Sequence, residues 1–250
     1  MSNIYRVGQI VPSSNITMET EIPAMLTARQ LIRPERFTFH SSRMRMKTVS
    51  KDELAAMDNE SDRCALELSD ARVDVMGYAC LVAIMAMGLG YHRESESRLR
   101  KCTLENGADT PIVTSAGALV QGLKTMEAKR IALVAPYMKP LTEMVVDYIR
   151  AEGFDVVDYR ALEIQDNLDV ARHDPMNLPE IVQSMNLDNV DVIVLSACVQ
   201  MPSLAAISKV EALTGKPVIT AAAATAYQLL KALKLEPVVP GAGALLSGAY

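Results

Sequence analysis

The sequence lacks the marks of several function classes. Basic residues are not in excess: 25 lysines and arginines stand against 30 aspartates and glutamates, a formal net charge of −5. A nucleic-acid binder needs the reverse, a clustered Lys/Arg surface facing phosphate, so nucleic acid is not an expected partner. The basic stretch from Arg33 to Lys47 is interrupted by Phe37, Phe39 and Met44, which fits a partly solvated strand or loop better than an anion site. Apolar runs such as Leu81 to Leu89 fall well short of the ~20 residues a membrane helix needs, and no membrane partner is expected. The Met1–Arg6 segment has no basic region leading into a long apolar core, so no secretory signal is expected and the location expected is cytoplasmic. The four cysteines, Cys64, Cys80, Cys102 and Cys198, form no CxxC pair and have no histidine beside them at ligand spacing. That argues against a structural zinc site and a thioredoxin-type motif alike. A core of this size needs no disulfide staples, and a cytosolic chain keeps thiols reduced.

What the sequence does contain is short apolar runs alternating with helical periodicity. Val7–Val11, Val73–Met76, Ile131–Val134 and Val190–Leu195 read as buried strands, and stretches such as Leu141-Val145-Tyr148-Ile149 and Ile181–Met185 read as amphipathic helices. The alternation predicts α/β architecture with parallel sheets covered on both faces. The runs also repeat. Arg6-Val7-Gly8-Gln9-Ile10-Val11-Pro12 matches Arg130-Ile131-Ala132-Leu133-Val134-Ala135-Pro136. Val73-Asp74-Val75, leading to Ala79-Cys80, matches Val190-Asp191-Val192, leading to Ala197-Cys198 with one extra residue. Pro111-Ile112-Val113-Thr114 matches Pro217-Val218-Ile219-Thr220. One such pair follows from strand composition alone; three in the same order point to duplication. The expected fold is two similar lobes related by a pseudo-twofold, 1–124 and 125–231, with 232–250 returning to the first. Open α/β sheets bind ligands beyond their carboxyl strand ends, so the expected site is the cleft between the lobes.

Cys80 and Cys198 occupy matched strand ends and should meet across that cleft. Most cysteines are buried core residues, and Cys64 and Cys102, in helix-like contexts, are assigned that role. A pair at matched strand ends reads differently. Leu81-Val82-Ala83 and Val199-Gln200-Met201 follow the two sulfurs, and backbone N–H groups there would bind carboxylates and lower a thiol pKa toward neutrality. A thiolate is the competent nucleophile. The Pro12-Ser13-Ser14-Asn15 cluster is either a helix N-cap or part of the site. Tyr137 falls opposite Ser13, where its phenol could meet substrate oxygen or simply edge the core. Thr114, Ser115 and Thr220 end the third pair and could line the same cleft. His40, His92 and His173 have no matched placement, and the fifteen methionines read as core filler.

Several of these segments resemble a known family. Tyr5 through Asn15 followed by Met18-Glu19-Thr20-Glu21, then Gly77-Tyr78-Ala79-Cys80-Leu81-Val82-Ala83, and Ser196-Ala197-Cys198-Val199-Gln200-Met201 are similar to the motifs of maleate cis-trans isomerases of the aspartate/glutamate racemase superfamily. The likeness runs over nearly the whole chain. It implies a two-lobed, usually homodimeric α/β enzyme that converts maleate to fumarate with no metal and no organic cofactor. It further implies that Cys80 adds to the double bond and that Cys198 handles a proton or stabilises the intermediate. Asn15, Tyr137 and Asn167 would hold the carboxylates, with backbone N–H groups near Val82 and the adjoining Ser13, Ser14, Leu81 and Val199 completing the substrate site.

Such chemistry is coherent. Thiolate addition makes the double bond single and places charge on the adjacent carboxylate as an enediolate; rotation and elimination then give the trans alkene. Donors aimed at the developing charge contribute most, and water must be kept out lest the adduct be quenched. Two other readings stay open on sequence alone. One is an amino-acid or hydantoin racemase, which uses two cysteines for α-proton exchange; the other is a non-catalytic module that binds a small anion.

Overall fold

The computed structural model describes residues 4–47 and 49–250, and its apolar runs form parallel strands, most of them buried. The first lobe runs β1 (Ile4–Pro12), α1 (Met18–Arg29), β2 (Arg36–Met44), α2 (Lys51–Asn59), α3 (Ser61–Asp70), β3 (Val75–Tyr78), α4 (Leu81–Ala86), α5 (Tyr91–Glu105), β4 (Ile112–Thr114) and α6 (Ser115–Thr125). The second runs β5 (Arg130–Ala135), α7 (Lys139–Ala151), β6 (Asp155–Ala161), α8 (Asn167–Ala171), α9 (Leu178–Gln183), β7 (Val192–Ser196), α10 (Ile207–Thr214), β8 (Val218–Thr220) and α11 (Ala221–Ala232). The strand orders are β2-β1-β3-β4 and β6-β5-β7-β8, with every pairing parallel. The two orders are the same, as the duplicated sequence predicts. In each sheet the chain reverses its direction of winding between the first and third strands, and a crevice opens there at the carboxyl edge.

The repeat is visible at the level of single bonds. The Asp74 carboxylate accepts from the Arg6 N–H at 2.6 Å, and Asp191 accepts from the Arg130 N–H at 2.8 Å. Each aspartate's own N–H donates to the same arginine's carbonyl at 2.8 Å. Ala79 N–H donates to the Ile10 carbonyl, and Ala197 N–H to that of Val134. The extra residue of the second copy appears as a register shift between Val194 and Ser196 where β7 meets β8. Insertion of one residue into a strand reverses the faces of the residues beyond it unless a bulge absorbs it.

Strands β2 and β6 lie at the sheet edges and carry no continuous apolar run. Arg36–Met44 alternates exposed and buried positions, so the basic stretch is a half-solvated edge strand. Thr114 and Thr220 differ from their expected place in the cleft. Both are buried, and their hydroxyls accept from the Gly117 and Ala223 N–H groups at 3.0 Å as N-caps of α6 and α11. A threonine oxygen at that position satisfies a helix donor that would otherwise be orphaned.

Helices α6 and α11 pack on each other and each reaches the opposite sheet. A side chain at Gly122 of α6 would meet the Ile219 Cδ1 of β8 at 2.7 Å, and one at Gly77 of β3 would meet the Leu229 methyls of α11 at 3.7 Å. Beyond α11 the chain passes α1, where the buried Arg29 guanidinium donates to the Val238 carbonyl at 2.8 Å. The lobes thus meet along their faces as well as at the cleft. No helix among the described residues is long and apolar enough to cross a membrane.

Candidate active site

Strand β3 ends at Tyr78, and the chain enters α4 through Cys80, whose backbone takes a left-handed conformation with φ of 100°. That region is costly for a residue with a side chain and is held only where the surroundings fix it. The β3 terminus is fixed by the Tyr78 hydroxyl, which donates to the buried Asp58 carboxylate at 2.8 Å. Asp58 also accepts from the Tyr91 hydroxyl at 2.6 Å and from Arg98 at 2.9 Å. In the second lobe β7 delivers Cys198 to the matched place. Among the described residues all four cysteines are free thiols.

Both cysteines line one small cavity with about 20 Å³ of free space, room for about one water and well below the size of ligand pockets. Its wall also includes Asn15 after β1, Tyr137 after β5, Asn167 at the start of α8, and Val82, Val199 and Gln200 beside the two cysteines. Pro12, Met46 and Val49 close it on the first lobe's side. Among the described residues no lysine, arginine or histidine lines it. Ser13, Ser14 and Leu81 are not among the lining residues. Ser13 Oγ ties the following loop at Met46, donating to its carbonyl and accepting its N–H at 3.1 and 3.0 Å. Ser14 Oγ accepts from Asn167 Nδ2 at 2.7 Å, and Leu81 is buried in the core. Arg43, from the basic stretch, donates to the Ser13 and Asn15 carbonyls at 3.0 and 3.1 Å and so shapes the loop that carries Asn15.

Asn15 both caps a helix and lines the cavity. Its Oδ1 accepts the Thr17 and Met18 N–H groups at 3.0 Å each, capping α1. With the oxygen turned to two donors, the Nδ2 end faces the cavity, and among the described residues it has no acceptor. The Tyr137 hydroxyl donates to the Ala197 carbonyl at 3.0 Å and also reaches the Cys198 sulfur. Burial and the two neighbouring sulfurs hold its pKa well above the usual phenol value, which keeps it a proton-bearing donor.

The thiol electrostatics differ from the expectation that N–H groups would bring the pKa toward neutrality. Burial pushes the Cys80 thiol up to about 12; the Ala83 N–H works the other way, while the Cys198 and Asp58 charges add to the rise. Cys198 is also raised by burial, against the opposing pull of the Tyr137 hydroxyl and the Gln200 and Met201 N–H groups. Removing a sulfur from water disfavours its charged form more than one or two N–H dipoles favour it. The two charges oppose each other, so the pair holds at least one proton.

Gln200, Met46 and Val49 carry no sequence signal that would place them at the cavity. A glutamine two residues beyond a cysteine carries no signal by type or spacing, and its place is set by how the lobes meet.

The profile of the arylmalonate decarboxylase (Amdase) family matches residues 7–246. A maleate isomerase of Pseudomonas putida is 76% identical over the full length of both chains. The structure superposes with a TM-score of 0.98, at 71% identity and 99% of each chain, on a crystal structure of a cysteine-to-alanine variant of the maleate isomerase Iso from Pseudomonas putida S16 with maleate. It also superposes with a TM-score of 0.95, at 46% identity, on a cysteine-to-serine mutant of the Nocardia farcinica maleate cis-trans isomerase; the match covers 99% of this chain and 100% of that one. That mutant holds a covalently bound succinylcysteine intermediate. The chain therefore belongs to the arylmalonate decarboxylase family, among the maleate isomerases.

Proposed function

We propose that this protein is an isomerase that converts maleate to fumarate, with Cys80 as nucleophile and Cys198 as the proton-handling partner. The observation that carries the reading is the placement of two free cysteines, from equivalent strand ends, on the wall of one small cavity. With one proton shared by the pair, Cys198 takes it from Cys80 as the Cys80 sulfur adds to C2 of maleate, and the displaced π pair moves through C3 into the adjoining carboxylate. Asn15 Nδ2, the Asn167 amide and the Val82 N–H are the donors for the two carboxylates, joined by the Tyr137 hydroxyl when its proton turns from the Ala197 carbonyl to the substrate. Loss of one such donor typically costs about 3–4 kcal/mol of barrier.

The adduct in the Nocardia relative is a succinyl thioether, saturated at both carbons. Protonation of C3 is therefore read as a step of the cycle and not as quenching. Cys198 gives its proton to C3, the C2–C3 single bond rotates, the Cys198 thiolate takes the proton back, and the carbon–sulfur bond breaks to release fumarate. Atoms and charge balance with the pair again sharing one proton. The apolar Val82, Val199 and Met46 walls keep bulk water from the adduct.

The likeness to maleate isomerases supports a homodimer, and the four free thiols support a reducing, cytoplasmic location. The sheet boundaries and the Arg29–Val238 contact support lobes of 1–124 and 125–231 with 232–250 returning to the first. The test is loss of maleate absorbance with fumarate appearing by proton NMR. Cys80→Ala should abolish turnover with an unchanged fold, whereas Cys198→Ala should slow it and leave a protein carrying the added mass of one maleate. Near-normal turnover by Cys80→Ala would remove the nucleophile assignment.

A further inference from the structure

Gln200 is 3% exposed and lines the cavity, yet every polar atom of its side chain is already engaged within the protein. Its Oε1 accepts the Ile16 and Thr17 N–H groups at 3.0 and 3.4 Å. Its Nε2 donates to the Ser14 carbonyl and to the Asn167 carbonyl, each at 2.9 Å. Its own carbonyl accepts from the Thr17 hydroxyl at 2.6 Å. The first three partners and Thr17 Oγ1 belong to the first lobe's loop around Asn15; Asn167 belongs to the second lobe. The Thr17 N–H shared with Gln200 is the same one that orients the Asn15 amide. A single buried amide is thus bonded to the loop of one carboxylate-binding asparagine and to the backbone of the other.

We propose that Gln200 is a positioning residue that sets the separation of Asn15 and Asn167, and with it the affinity for a short cis-dicarboxylate. This rests on the isomerase reading above. A buried amide that saturates donors and acceptors on both sides of a cleft fixes their spacing, because any movement leaves a polar group unpaired in a site water cannot enter. Misplacing a binding group by about 1 Å can cost on the order of 100-fold in activity. Gln200 touches no reacting atom through its side chain, so its effect should fall on substrate binding and leave the nucleophile alone.

The experiment measures alkylation of Cys80 by iodoacetamide, followed by peptide mass, against increasing maleate, in the wild type, Gln200→Met and Gln200→Glu. Methionine keeps the volume and removes the bonds. Glutamate keeps the two accepting contacts and turns a carboxylate oxygen on the Ser14 and Asn167 carbonyls. Partial unfolding would raise the half-protecting concentration too, but it would expose Cys80 and raise the maleate-free alkylation rate with it, so the two readouts together separate a spacing effect from lost stability. The half-protecting concentration should rise about tenfold or more in both variants, with KM rising in parallel, while the alkylation rate without maleate stays within about twofold of wild type. A half-protecting concentration within about twofold of wild type overturns the proposal. So does a large change in the maleate-free rate, which would place the effect on the nucleophile or on stability, and so does failure of both variants to fold, which would make Gln200 structural. Failure of the isomerase reading shows separately, as a wild type that maleate neither protects nor feeds.

Discussion

At the residue scale, the two sulfurs sit in different electrostatic surroundings. Cys80 has one N–H partner and two like charges nearby; Cys198 has a phenol and two N–H groups. Cys198 is thus the better solvated by protein dipoles of two buried thiols. With its pKa near 12, Cys80 is overwhelmingly a thiol at neutral pH. A raised pKa means that the thiolate is formed only as pH climbs. Alkylation of Cys80 in the free enzyme should therefore gain about tenfold per pH unit from pH 7 to 10, whereas an ordinary thiol levels off above its pKa of about 8.5. Rates read by mass on the Cys80 peptide check this, and a plateau near pH 8 would contradict the burial argument. The positions of the two cysteines were legible in the sequence because duplication marked them as a pair. Their pKa was not, because it depends on how much water the closed cleft removes.

At the scale of elements, the strands that position the site could be read and those at the margins could not. β1, β3, β5 and β7 are buried on both faces and show as apolar runs, whereas β2 and β6 are edges whose outward side chains break the pattern. The cross-lobe bonds left no trace in local sequence. Glu21 of α1 is the clearest case. Its Oε1 accepts the Ser203 and Leu204 N–H groups of the second lobe at 2.6 and 2.7 Å, at the entry to the turn leading into α10. Burial raises its carboxyl pKa against the pull of those same bonds, so its charge is held at a cost that rises as pH climbs through its folded value. Glu21→Gln keeps an accepting oxygen for both donors and sheds the buried charge; it should leave stability at pH 7 unchanged or improved. Glu21→Ala strands both N–H groups and should cost about 2–4 kcal/mol. Urea unfolding of the two variants distinguishes them, and equal losses would mean that the charge, not the acceptor, matters.

At the scale of the whole molecule, the duplicated lobes do not amount to two independent units. Helix α6 follows the last strand of the first sheet yet packs against β8, and α11 follows the last strand of the second yet packs against β3 and β4. Arg93 of α5 clasps Glu152, just past α7, with two bonds of 2.8 and 2.6 Å. Each lobe therefore borrows part of its apolar cover from the other, and an uncovered sheet face loses about 25 cal/mol for every Å² returned to water. Residues 1–124 expressed alone would expose the face of β3 that Leu229 covers beside Gly77. That fragment should fail to reach a cooperative fold. The intact chain should unfold in one transition, with calorimetric and van't Hoff enthalpies equal. Two resolved transitions, or a fragment with native-like chemical-shift dispersion, would mean that the exchange of helices is not what holds the cleft. In that event Cys80 and Cys198 would owe their approach to polar clasps between the lobes such as those at Gln200, Glu21 and Arg93.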